Sequence, residues 1–143
     1  HTLRCVLFMN EENGNFGGKN YARICSELKE EHICAIETDR GGFLPIGFDV
    51  DGSEDHLKMV RQYQTLFKAF QLYKFEKGYS GVDIRPLKEY YPEMLQLGMS
   101  ISSQRYFDFH HAETDVFENV NKRELHLGAA AMAAMIYLMD KTL

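Results

Sequence analysis

The sequence has no CxxC pair, no block of lysines and arginines, and no apolar run of about twenty residues, and each absence removes a class of function. The three cysteines among 143 residues, Cys5, Cys25 and Cys34, show neither zinc-finger spacing nor a disulfide framework. They sit in apolar stretches and read as small core residues. A net charge of -5 with dispersed cations disfavours nucleic acid, because phosphate binding needs concentrated basic surface. The nearest candidate for a membrane span, Leu125 to Met139, is Ala-rich and too short to cross a bilayer. No secretory leader is visible. His1 and Thr2 lead straight into a strand-like run, which reads as the continuation of a longer chain with any targeting segment upstream.

What remains is the composition of a globular domain, 45% hydrophobic, 26% charged and 13% aromatic. At this length one hydrophobic core is expected and a second domain is not. Leu3 to Met9 (LRCVLFM) reads as a buried strand, Asn10 to Asn15 as a polar turn, and Phe16 to Glu30 as an amphipathic helix. Ile33 to Ile36 reads as a second buried strand, followed by Gly41, Gly42, Pro45 and Gly47, which break regular structure. Val60, Tyr63, Phe67 and Phe70 mark one helix face over Glu54 to Leu72, and Gly78 to Arg85 is loop-like. Pro86 suits the first turn of a helix ending before Gly98. Met99 to Ile101 and Tyr106 to Phe109 are short strand candidates. Asn121 with Glu124 opens a last helix to Met139, apolar nearly all round and expected to pack tightly against a sheet. Strands alternating with helices predict a three-layer α/β/α architecture with a mixed, largely parallel central sheet, lacking its N-terminal side. In such sheets ligands gather at the carboxyl ends of strands.

Three polar clusters each follow an apolar run: Glu11-Glu12, Glu37-Thr38-Asp39, and His110-His111 with Asp115 four residues beyond. Adjacent carboxylates repel unless a cation or proton relieves them. Isolated, each cluster reads as a solvated turn or a structural histidine pair. Together they are the hard and borderline ligands that zinc accepts at about 2.0–2.2 Å. A spare carboxylate beside a ligand is also what a metal-activated water needs as its base. The clusters point to a metal hydrolase.

At these residues the sequence resembles metallopeptidase family 28, the co-catalytic di-zinc aminopeptidases and carboxypeptidases, in particular the plasma glutamate carboxypeptidase-like branch. FMNEENGNFGGKNYA is similar to the family's NEE-x-G-x-x-G segment and AIETDRGGFLPIGF to its ESD-x-G-x-F-x-P-x-G segment. YFDFHHAETDVF resembles F-x-F-H-H-x-x-x-D-T, and GVDI at Gly81 to Ile84 resembles G-x-D-I. Thr38, Ala112 and Val116 depart from the residues usual in the family. The resemblance implies Glu11 as general base, Glu12 and His111 as ligands of one zinc, and Asp39 as a ligand of the other. His110 is implied to be a non-ligating neighbour. A bridging aspartate and one more histidine of the family site have no counterpart here, and His32, His56 and His126 do not stand in contexts that replace them.

The resemblance thus makes residues 1–143 the C-terminal part of a single zinc-peptidase catalytic domain, acting on peptide substrates in a secreted or periplasmic setting. The complete domain is expected to hydrolyse terminal peptide bonds. This stretch alone is expected to be inactive, to bind the two zincs poorly, and to self-associate through an uncovered sheet edge. The loops Phe43 to Phe48 and Gly78 to Arg85 are candidates for shaping a substrate pocket. The competing expectation is a non-catalytic binding or structural module on the same fold, with the motifs as inherited scaffold.

Overall fold

Alternation decides where the core sits. In the computed structural model, which describes residues 1–143, strand β4 (Leu95–Ile101) sends Leu95, Leu97, Met99 and Ile101 to one face and Gln96, Gly98 and Ser100 to the other. It lies inside a four-stranded sheet in the order β1-β4-β2-β3, with β1 (Cys34–Glu37), β2 (Pro45–Asp51) and β3 (Lys74–Lys77). The β1–β4 and β2–β3 pairs are parallel and β2–β4 is antiparallel, so the sheet is mixed and mostly parallel.

The apolar face packs against helices α2 (Glu54–Arg61), α3 (Gln64–Lys68) and α5 (Lys122–Thr142). Phe48, Phe67 and Phe75 meet there with ring centroids 5.7–6.2 Å apart. The opposite face carries α1 (Phe16–Glu27) and a 3₁₀ turn at Arg85–Glu89, joined by Ala22, Ile84, Leu87 and Met94. Helices on both faces of the sheet make this a three-layer α/β/α fold.

The second face is unusually polar. Asp49 accepts from the Ser100 hydroxyl at 2.7 Å and pairs with Lys74 at 2.7 Å. Gln96, wholly buried, donates to the Ile84 carbonyl at 2.7 Å and accepts from Ser80 at 2.9 Å. Buried polar groups are tolerated here because each has a partner.

Several expected elements differ. Leu3 to Met9 forms no strand and pairs with none of the four, with Leu3, Leu7 and Met9 exposed and Val6 and Phe8 half-buried. A strand needs a partner's amides, and carbonyls at the end of this run are committed elsewhere, capping α1. Cys5 is accordingly exposed, not a core residue, while Cys25 is buried and all three thiols are free. Pro45 and Gly47, read as breakers, lie inside β2, because Pro occupies its first position and Gly47 (φ 154°) sits at a register shift. The single helix expected over Glu54 to Leu72 is two, interrupted at Gln62–Tyr63. The helix expected after Pro86 stops at Glu89, leaving Leu95 to Gly98 to β4.

Tyr106 to Phe109 is a helical turn, α4 (Tyr106–Phe109), not a strand. Four residues cannot distinguish the two periods, and the Tyr106 hydroxyl reaches His110 Nδ1 one turn on, at 3.1 Å. Finally, α5 buries only the stripe Gly128, Ala131, Met135 and Met139 and leaves Tyr137 largely exposed. Asn121 caps it as expected, its side-chain oxygen accepting from the Arg123 and Glu124 amides at 2.9 and 3.1 Å.

Candidate active site

Helix α1 organises the first cluster. Its leading amides are satisfied by a backbone turn: Asn15 N–H donates to the Glu11 carbonyl, Phe16 to Asn10 and Gly17 to Met9, at 2.9–3.3 Å. Asn10 and Asn15 adopt left-handed φ values of 59° and 55°, which asparagine tolerates, and the turn between them carries Glu11 and Glu12. Both residues therefore lie in the turn that leads into the N-terminus of α1. Asn15 Nδ2 ties the same corner to the Val82 carbonyl at 2.5 Å.

The second cluster leaves the carboxyl end of β1. Parity from Ala35 sends Glu37 to the polar face, where it is 8% exposed and accepts from the Ile84 amide at 3.0 Å and the Asp83 amide at 3.2 Å. Desolvation raises its pKa, and these two amides oppose the rise. Two glycines admit this arrangement. Gly98 leaves room for the loop after β3, since a Cβ there would lie 2.4 Å from the Ser80 carbonyl oxygen. Gly81 (φ 145°) lies so close to Glu37 that a Cβ would sit 2.1 Å from its carboxylate. Asp39, two residues past the strand, is exposed.

The third cluster follows α4. His111 takes φ 58°, a left-handed conformation rare for a residue with a β-carbon, and its Nε2 lies 3.3 Å from Glu12 Oε1. His110 turns aside to stack on Tyr106, centroids 4.7 Å apart.

These segments converge electrostatically on Glu11. Its pKa is raised, first by desolvation, then by Glu12, Asp83 and Asp39, while His111 pulls it down. Tyr106, raised by burial, also feels Asp39, Asp115 and Glu12. Asp83 is raised by desolvation and by Asp39, and its Oδ1 is buried with no hydrogen-bond partner. Glu12 and His111 are in contact and Asp83 Oδ1 is a buried oxygen with no partner, and carboxylate and imidazole are groups that a divalent cation accepts as ligands.

Of the expected ligands, the structure brings Glu12 and His111 into contact. Asp39 does not join them in a three-ligand group; the one group with three donor atoms mutually within 4.8 Å is Cys25, Glu30 and His32, on the far side of α1. Asp83 and Glu37 had no assigned role in the sequence. The available signals were the strand alternation that points Glu37 inward and the Gly-x-Asp spacing at Gly81 to Asp83, but neither reveals that one residue holds the other's loop.

The chain is similar to carboxypeptidase Q from Rattus norvegicus and from Mus musculus, each 27% identical over 143 residues, and to that from Homo sapiens, 26% identical. Each match covers 96% of this chain and 29% of the relative, so the chain spans less than a third of the length of these proteins. The matches support a relationship to the metallopeptidases whose motifs the sequence resembles. No protein-family profile matches the chain, and no solved structure does. No helix is long and apolar enough to cross a membrane.

Proposed function

We propose that residues 1–143 are part of the catalytic domain of a zinc-dependent exopeptidase, of aminopeptidase or carboxypeptidase type, in a secreted or periplasmic setting. The observation that carries this reading is Glu11, half-buried among Glu12, Asp39 and Asp83 with His111 against Glu12. Glu12 and His111 would hold one zinc and Asp39 the other, with further ligands from chain outside these residues. Bound zinc supplies Lewis acidity and lowers the pKa of water.

The rest of the chemistry belongs to this chain's residues. Glu11 accepts the proton of the attacking water, and the C–O bond forms at the scissile carbonyl. Glu11 then returns the proton to the leaving amine as the C–N bond breaks. Glu37 acts at a distance by fixing the 81–84 loop, and with it Asp83, beside Glu11.

The test uses the full-length protein. Chelation abolishes release of terminal residues from unblocked peptides, zinc restores it, and blocking the relevant terminus prevents it. Activity that survives metal removal, or cleavage confined to internal bonds, overturns the reading.

A further inference from the structure

The end of α1 builds a second, separate cluster. Lys29 adopts a left-handed φ of 56°, with its amide on the Ser26 carbonyl (3.0 Å) and the Glu30 amide on the Cys25 carbonyl (2.9 Å). This is a Schellman reversal, which folds the chain back beneath the last helical turn. It brings Glu30 and His32 under Cys25, so that the three donor atoms lie within 4.8 Å of one another. Tyr91 pins the reversal by donating to the Glu30 carbonyl at 2.8 Å.

His32 is clamped between aromatic rings, stacked on Tyr21 at 5.9 Å and edge-on to Tyr91 at 5.1 Å. Its Nε2 is buried without a hydrogen-bond partner, 3.9 Å from Glu30 Oε2. An unsatisfied buried ring nitrogen carries a cost, and one aimed at a carboxylate and a thiol invites explanation. The charge now facing the cluster is Arg4, which donates to both Glu30 oxygens at 2.6 and 3.1 Å and lies 3.9 Å from Cys25 Sγ. Arg4 belongs to a segment outside the sheet, and its guanidinium also donates to the Tyr21 hydroxyl at 3.2 Å.

We propose that Cys25, Glu30 and His32 form a binding site for a thiophilic divalent cation such as zinc, for which the Arg4 guanidinium is the resident competitor. Thiolate, carboxylate and imidazole are a zinc donor set, and three protein ligands leave the fourth tetrahedral position to solvent. Bonds of about 2.0–2.3 Å imply donor separations of roughly 3.5 Å, so the cluster closes by about an ångström on binding. On binding, the Cys25 thiol releases its proton to solvent and Arg4 leaves Glu30. The neutral sum of a thiolate, a carboxylate and a dication replaces the Arg4–Glu30 pair. This site is independent of the Glu11 cluster, which contains no thiol.

The test is titration of the full-length protein with Co(II), read by thiolate-to-cobalt charge-transfer absorption, which a carboxylate–histidine site cannot produce. A saturable band is expected, bleached by Zn(II). Cys25→Ser removes it although Cys5 and Cys34 remain, and His32→Gln weakens binding. Arg4→Gln, an exposed change, tightens Co(II) binding by about tenfold, the scale of one charge-assisted hydrogen bond lost to a competitor. Absence of the band, its survival in Cys25→Ser, or weaker binding in Arg4→Gln overturns the proposal.

Discussion

Replacing Glu37 by alanine tests whether that carboxylate holds the loop beside Glu11. The Ile84 amide, in a residue 5% exposed, and the half-buried Asp83 amide both lose their acceptor. A buried unsatisfied donor costs about 1–3 kcal/mol, and a partly solvated one less. Relief of the carboxylate's own desolvation and entry of water into the vacated volume offset part of this. The expected net loss is about 2 kcal/mol, or a fall in Tm of about 6–8 °C for a chain of this size. Glu37→Gln keeps an acceptor and should stay within about 0.5 kcal/mol of wild type near neutrality.

The two variants also separate by pH. The Glu37 pKa is raised, so the folded chain binds this proton more tightly than the unfolded chain. Its contribution is full below the ordinary carboxylate value and declines as pH rises through the raised one. Glu37→Gln lacks that decline. Urea unfolding from pH 4 to 8 measures both effects. An alanine variant as stable as wild type, or a glutamine variant as destabilised as alanine, refutes the reasoning.

Other perturbations bear on separate links. Gly47→Ala drives a Cβ to 1.8 Å from the Lys74 carbonyl oxygen and should cost roughly 2–4 kcal/mol by chemical denaturation, loosening the β2–β3 pair. Asn121→Ala removes the cap of α5 and should cost about 1 kcal/mol, with a matching drop in Tm. Lys74→Met leaves Asp49 with Ser100 as its remaining side-chain partner on the polar face and should cost about 2–4 kcal/mol, with little sensitivity to salt.

The layer architecture was readable from the sequence because it depends on period. Ile33 to Ile36 is continuous and apolar, Met99 to Ile101 reads as a strand although Leu95 to Leu97 reads as the end of a helix, and Asn121 announces α5. What failed depended on partners. LRCVLFM has every local property of a strand, yet no neighbour pairs with it. Pro45 and Gly47 mark breaks by propensity but serve the first position of β2 and a register shift that become visible only once β4 is alongside. In the candidate site, the motifs named Glu11, Glu12, Asp39 and His111, and the Glu12–His111 contact brings together residues 99 positions apart. Glu37 stands in a polar cluster and Asp83 in the Gly-x-Asp stretch, but their contact comes from a loop crossing the sheet over Gly98, a tertiary fact with no local signature.

Glu11 is proposed as the proton acceptor of a metal-dependent peptidase site. The most direct test is Glu11→Gln in the full-length protein, with kcat and bound zinc measured on the same preparation. A fall in kcat of about 10²- to 10⁴-fold with zinc content unchanged is expected, as loss of a general base requires. Wild-type turnover in that variant would contradict it.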